Sequence, residues 1–551
     1  MSTTRQAAGP TRKPTEQETR IRRQRIEDLF GFPGLVNLAA VLNQERATMS
    51  PRGRRSPYSD ACLLAVTATA RITGSLAETH RLLSSDEDLW RRCRESFERV
   101  HGEALPITAP DKDRVDYLRK KLTTPSSELL VSLTRAFSAA SVGQAQAMGN
   151  LLPGRQPQWA DPDPRHAIFG DGTIVKPYSD VTVMTNPITG EVVYNGSRAR
   201  TGAAKIQQVN RFHGELGADG KPERGINFVS MHTRTDAGRV VLAVDWELGA
   251  EAWTALDLID QVIALSGDGV HSVVYDRALT GWHGAYLMGR HRVQLYGKAV
   301  ARRRDDDSQA VEWNVSERLR RATLGMELDY LARAVAKTTV LDEMYNNGLP
   351  QPVGTNLYER GNSLNRKYDL VHGVYFFLTA THDDAAGKPC EHDLVMDDGA
   401  LYTVEYDDLS EQLVKTRHLS CSSSTPQRTR AGAWRRVSTY PVPCGDGDFT
   451  FEVTWDPEPT RYRRDSAEGN RSPKDPIASR LHPVTRRDEK FSFVSRARND
   501  VEGYNSWFKG TLPGQSRTRG SSITLEGQML DFLLAAVVEN SITWAAHTRR
   551  G

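Results

Sequence analysis

The sequence predicts an α/β protein: a mixed sheet covered by helices, interrupted by a β-rich insertion and preceded by a helical region. Three observations predict it. Residues 161–300 read as strand, strand, strand, helix, strand, helix, strand. Residues 301–490 are dominated by short alternating runs split by Gly, Asp and Pro turns. Residues 21–150 read as short helices with capping signals.

The chain has 551 residues, 38% of them hydrophobic and 26% charged. That is enough apolar material for packed cores and enough length for roughly two to four units. A formal net charge of +3 argues against a uniformly basic protein. It leaves room for local basic clusters, which lie at Arg20 to Arg25, Arg52 to Arg55, Arg302 to Arg304 and Arg461 to Arg464. Each is either a solvated face or a nucleic-acid contact. Five cysteines, odd in number and widely scattered, argue against a disulfide framework and fit a reducing compartment. The N-terminus is polar and lacks an apolar leader, so a cytoplasmic protein is expected. The stretch "MLDFLLAAVVENSITW" is interrupted by Asp531 and Glu539 and reads as a buried helix too short to span a bilayer, so no membrane partner is expected.

Along the chain, residues 1–20 read as a flexible arm rich in Thr, Arg, Gln and Pro. "SDACLLAVTATARI" is a largely apolar helix. Ser75 with Glu78, and Ser84 with Glu87, have the S-x-x-E capping-box spacing. Short helices broken at Gly74 and Ser84 resemble a helix-turn-helix bundle; a helical bundle without DNA contact is the alternative. "LLPGRQPQWADPDPRHA", with four Pro and one Gly, reads as a linker.

The period then changes. "HAIFGDGTIV" is an apolar strand carrying Asp171. "GINFVSMHTRTDAGRVVLAVDWEL" reads as two strands around a turn at Asp236-Ala237-Gly238. "EAWTALDLIDQVIALSG" is an amphipathic helix with Leu256, Ile259 and Ile263 on one face. "VHSVVYDRAL" is a buried strand running up to Asp276. "GWHGAYLMG" reads as a short helix and "HRVQLYGKAV" as another strand. In the insertion, "SERLRRATLGMELDYLARAVAK" is helical, and strand-like runs follow from "YDLVHGVYFFLTATH" to "DFTFEVTWD". Residues 491–551 supply two further helices.

The chemistry lies in carboxylates. Asp171 sits on the first strand and Asp276 at the end of the fourth; side by side in one sheet, those strands bring both acids to one edge. Clustered carboxylates repel one another and are comfortable chiefly when they share hard divalent cations. The ordinary alternative for an Asp at a strand end is a turn former or a helix N-cap. Gly170 and Gly172 flank Asp171 and allow a close approach to the backbone. In "RARNDVEGYNSWFKG", Arg498, Glu502 and Lys509 share one helix face, with Asn505 close by, while Asp500 points elsewhere.

This arrangement resembles the catalytic core of bacterial insertion-sequence DDE transposases, which is RNase H-like. One group of that family carries a Tyr-x2-Arg-x3-Glu-x6-Lys signature; Arg498, Glu502 and Lys509 match it, and Ser495 stands where the family has Tyr. The long gap from Asp276 to Glu502 is similar to that of members with a β-rich insertion before the Glu helix. The resemblance implies that Asp171, Asp276 and Glu502 are catalytic and hold two Mg2+ or Mn2+ ions. It further implies DNA partners (transposon ends and target), a homodimer on DNA, and association with the bacterial nucleoid when bound. Arg498 and Lys509 would then meet DNA phosphates; pairing with Glu502 or Asp500 is the structural alternative. Arg198, Arg200 and Lys205, in a polar loop between the first two core strands, are further phosphate-contact candidates. Two other readings stand beside the transposase: an RNase H-like nuclease without strand transfer, and a domesticated, catalytically silent DNA-binding protein.

In the insertion, Cys390, His392, His418, Cys421 and Cys444 bring three Cys and two His into one region and could supply a tetrahedral zinc site, although their spacings match no standard zinc knuckle. Trp434 and Trp455, the first beside Arg435 and Arg436, are either base-stacking residues or core.

Overall fold

The computed structural model describes residues 15–48, 56–124, 126–175, 182–185, 192–195, 212–216, 222–224, 226–247, 251–275, 278–279, 282–296, 351–352, 355–360, 367–372, 375–397, 399–406, 413–445, 447–457, 478, 481–485, 488–511 and 524–550. The protein is mixed α/β, with a helical N-terminal region and several sheets. It divides into two compact units: residues 1–155, 164–274 and 496–551 form the first, and residues 156–163 and 275–495 the second.

The first unit begins with seven helices: α1 (Glu16–Phe30), α2 (Gly34–Thr48), α3 (Asp60–Thr73), α4 (Leu76–Ser85), α5 (Glu87–His101), α6 (Lys112–Leu122) and α7 (Glu128–Ala147). Helix α1 starts earlier than the expected arm allows. Thr15 caps it, accepting from Glu18 N at 3.2 Å while Glu18 reaches back to Thr15 N at 2.7 Å, so the helix displaces the end of the arm. The Ser75 cap of α4 is as expected, accepting from Glu78 N at 3.1 Å. The Ser84 cap is not: Ser84 lies inside α4, and Asp86 caps α5 by accepting from Leu89 N at 3.0 Å. The basic cluster of α1 is partly tied into the unit, Arg22 pairing with Glu78 and Arg23 with Asp86.

Next come β1 (Ala167–Val175), β2 (Ile226–Thr235), β3 (Gly238–Glu247), α8 (Glu251–Ser266) and β4 (Ser272–Val274), in the sheet order β3-β2-β1-β4. β1 is antiparallel to β2 and parallel to β4, with Phe169 opposite Val274. Two short hairpins, Thr182–Thr185 with Val192–Asn195 and Phe212–Leu216 with Pro222–Arg224, lie between β1 and β2 in sequence.

Two C-terminal helices complete the unit. They are labelled α10 (Ser492–Thr511) and α11 (Leu525–Thr548), because α9 belongs to the second unit and precedes them in the chain. Helix α11 is apolar nearly all round and buried nearly all round. By length and composition it could cross a membrane, which the interrupted apolar run had not suggested. Its cover is this protein: α1, α3, α6 and α7 on some sides, β2 and β3 on another, all in one apolar core. The N-terminal helices therefore belong to the same compact unit as this sheet.

Two polar devices fix α11. Asp531 is buried and lies 3.4 Å from Arg71 and 3.7 Å from Arg119. Asn540 is fully buried and behaves like a strand residue beside β3: its Oδ1 accepts from Val241 N at 2.7 Å and its Nδ2 donates to Val241 O at 2.8 Å. Since β3 ends the sheet, Asn540 satisfies backbone groups that an uncovered edge would leave open.

The second unit contains α9 (Trp282–His291), β5 (Gln294–Tyr296) and two antiparallel layers. One is the meander β6 (Tyr375–Asp383), β7 (Pro389–Asp397), β8 (Ala400–Tyr406) and β9 (Leu413–Leu419), with the short strand Gln351–Pro352 at its edge. The other is β10 (Ser423–Arg428), β11 (Trp434–Val442) and β12 (Phe449–Trp455). Leu378, Leu394, Met396 and Leu401 share one core with Tyr440, Val442, Val453 and Trp455. The expected helix at 316–337 lies outside the described residues.

Candidate functional site

The site in the first unit is built on β1. Alternation along that strand sends Asp171 to one face of the sheet and Gly172 to the other. On the Gly172 side, a Cβ would meet Glu251 Oε2 at 2.1 Å and Asn227 Oδ1 at 2.7 Å. The close approach that the flanking glycine permits is thus made by this chain's own Glu251, which also accepts from Asn227 Nδ2 at 2.8 Å, and not by a ligand.

On the other face, Asp171 stands opposite Ser230 and Phe169 opposite His232. Ser230 Oγ and His232 Nε2 are 2.8 Å apart, and both residues are buried. His232 stacks on Phe169 at 5.8 Å and meets Tyr504 of α10 edge-on at 4.9 Å. Burial drives its pKa well below the ordinary histidine value, and the Arg239 charge adds to the effect. The imidazole is therefore neutral at physiological pH.

Helix α10 docks on this face because its apolar residues recur at helical spacing: Ala497, Val501, Tyr504 and Phe508 are all buried. Phe508 and Phe532 meet at 4.8 Å, and Phe228 packs on both. Asp500 pairs with Arg234 of β2 at 2.8 Å, and its carbonyl accepts from Arg239 of β3. Arg239 also pairs with Glu539 at 2.6 Å and lies over the Tyr504 ring at 5.2 Å. Asp500 thus points away from the Glu502 face, as the helical spacing predicts, and its partner is Arg234.

That docking brings Asn505 to Asp171. Asn505 Nδ2 donates to Asp171 Oδ2 at 3.2 Å. Asn505 is 7% exposed, and its Oδ1 is buried with no hydrogen-bond partner among the described residues. Glu502 stands nearly one turn earlier on the same side of α10 and is exposed. These are hard oxygen donors, and a buried amide oxygen without a partner beside a carboxylate fits Mg2+ or Mn2+.

Asp276, Arg198, Arg200 and Lys205 lie outside the described residues, as does the Arg498 side chain. The Arg498 backbone belongs to α10, and Lys509, further along the same helix, is half-buried. Sequence reasoning missed Ser230 and His232. Their link to Asp171 runs through the β1–β2 register, which no spacing within one strand reveals.

In the second unit, the zinc candidates separate. Cys390, His392 and Cys444 converge and are joined by His382, which sequence reasoning did not include; their ligand atoms all lie within 4.8 Å of one another. His418 and Cys421 are not part of the group. His418 Nε2 lies 3.3 Å from Thr485 Oγ1, and Cys421 Sγ contacts Ser423 O at 3.1 Å. Burial pushes the Cys421 thiol up.

The base-stacking candidates also divide. Trp455 is core, and Arg436 stands over it at 4.9 Å. Arg436 is 1% exposed and donates to Gln294 Oε1 and to the carbonyls of Ala478 and Leu481, so it is structural. Trp434 is half-buried, with Arg292 and Arg428 over its ring at 5.5 and 5.8 Å.

Comparison of the chain with family models, with curated proteins and with solved structures gave no match.

Proposed function

We propose that this protein is a DDE-type DNA transposase with an RNase H-like core, which cuts the ends of a mobile element and joins them to target DNA. The observation that carries the reading is the hydrogen bond from Asn505 to Asp171, because it ties the Glu502 helix to the first strand of the sheet. The sheet order supports it as well: three antiparallel strands, then a fourth parallel to the first. Asp171 lies two residues beyond Phe169, and Asp276 two residues beyond Val274, the residue paired with Phe169. Each aspartate thus follows its paired residue at the same interval in the sequence.

In this reading Asp171, Asp276 and Glu502 hold the divalent cations. When bound, two such ions activate an attacking oxygen and stabilise the leaving oxygen of a phosphodiester. The chain's own residues do the rest. Asn505 orients the Asp171 carboxylate through its amide N–H. Ser230 and neutral His232 present polar but uncharged side chains beside Asp171. Arg498 and Lys509, flanking Glu502 on α10, contact phosphates and align the DNA strand. Arg198, Arg200 and Lys205 extend that contact, and a homodimer on DNA pairs the two ends.

The test uses a labelled duplex carrying the inverted repeats that flank the coding gene, and a pre-cleaved version of it. The transposase reading expects Mg2+-dependent nicking at the repeat end, and joining of the pre-cleaved 3′-OH end to a plasmid. Nicking without joining would replace it with a nuclease. Binding of the repeat with neither reaction would leave only a DNA-binding protein.

A further inference from the structure

Cys390, His392, His382 and Cys444 form a second site, independent of the carboxylates and of the reading above. Each arrives by a different structural rule. Cys390 and His392 are two residues apart on β7 and so face the same side of the sheet. His382, on β6, is the direct cross-strand partner of Cys390. Cys444 comes from the turn between β11 and β12 in the neighbouring layer.

The distances have the dimensions of a coordination shell. Cys390 Sγ is 3.6 Å from Cys444 Sγ and 3.3 Å from His392 Nε2, and the two Nε2 atoms of His382 and His392 are 3.3 Å apart. A tetrahedral zinc with Zn–S of about 2.3 Å and Zn–N of about 2.05 Å has edges of roughly 3.8 Å between sulfurs, roughly 3.6 Å from sulfur to nitrogen and roughly 3.3 Å between nitrogens. The observed edges agree to within about 0.3 Å. Neither cysteine is in a disulfide.

The surroundings orient the ligands. His382 Nδ1 lies 3.0 Å from the Asp383 carbonyl, which leaves Nε2 as the lone pair facing the cluster. Phe449 stacks on His382 at 4.1 Å and screens one side. Two thiolates and two imidazoles suit zinc and do not suit Mg2+ or Ca2+. Four protein ligands leave no open position, so the site is structural rather than catalytic.

We propose that these four residues bind one structural Zn2+, which staples the β6–β7 hairpin to the β11–β12 turn. Metal analysis of the full-length protein, purified without chelator, should find about one zinc per chain. Cys390→Ser combined with Cys444→Ser should lower it to background, while Cys421→Ser should leave it unchanged. Cobalt substituted into the wild-type protein should give the thiolate charge-transfer band and visible d–d bands of a tetrahedral sulfur–nitrogen site, a readout that needs no variant to fold and that carboxylate-bound cobalt cannot produce. Zinc at background in the wild-type protein, zinc retained by the double variant, or a Cys390–Cys444 disulfide found by mass spectrometry of the unreduced protein would each overturn the assignment.

Discussion

Asn505 on α10 donates to Asp171 on β1 at 3.2 Å, which links the helix to the first strand of the sheet at the candidate site. Removing it takes away the amide that orients the Asp171 carboxylate from α10. Asn505→Ala is expected to reduce Mg2+-dependent DNA cleavage by about 10–100-fold and to raise the Mg2+ concentration needed for half-maximal rate, as loss of a ligand-orienting partner does. Binding to the same DNA should be unchanged. A Mg2+ titration of cleavage by variant and wild type checks this; an unchanged Mg2+ requirement would mean that Asn505 does not position Asp171.

Asn540 predicts a stability effect rather than a catalytic one. Asn540→Ala exposes no surface cation or acid, but it leaves the N–H and C=O of Val241 without their partners at 2.7 and 2.8 Å. Two orphaned backbone groups beside a buried helix should cost about 2–4 kcal/mol. Urea unfolding followed by tryptophan fluorescence measures it, and a loss below about 1 kcal/mol would show that β3 finds other partners at that edge.

His232 gives the pH dependence. Its folded pKa lies well below its unfolded value of about 6.5, because burial disfavours the charged ring. Above about pH 6.5 both states are neutral and the contribution to stability is fully present. As pH falls from there toward the folded pKa, the unfolded chain takes up a proton that the folded chain refuses, and stability declines by at most about 1.4 kcal/mol per pH unit. His232→Gln should flatten this slope relative to wild type when urea midpoints are compared at successive pH values between neutrality and mild acid. Parallel slopes for the two proteins would contradict the assignment.

The elements that sequence reasoning identified are those whose period is local. Asp236-Ala237 ends β2 where the alternation breaks, and α8 shows Leu256, Ile259 and Ile263 on one face; both are read from neighbours a few residues apart. The Ser84 cap failed for a local reason too: Ser84, Ser85 and Asp86 are all competent caps, and a carboxylate two residues later takes the α5 N-terminus. What stayed hidden depends on pairing across the chain. Asp171 stood out because it lies on an apolar strand between two glycines, whereas Ser230, His232 and His382 acquire their roles only through strand register. The all-round apolar surface of α11 announced burial, but no feature of α11 indicated that α1, α3, α6 and α7 would supply the cover.

Asp276 carries the central claim, since the proposed metal site needs it beside Asp171 and Glu502. Asp276→Asn keeps the shape of the side chain and removes its charge. The most direct measurement is Mg2+-dependent cleavage of the repeat-end duplex by Asp276→Asn, alongside wild type and with binding to the same duplex as control. The account predicts cleavage lost and binding retained. Full cleavage by Asp276→Asn would contradict it.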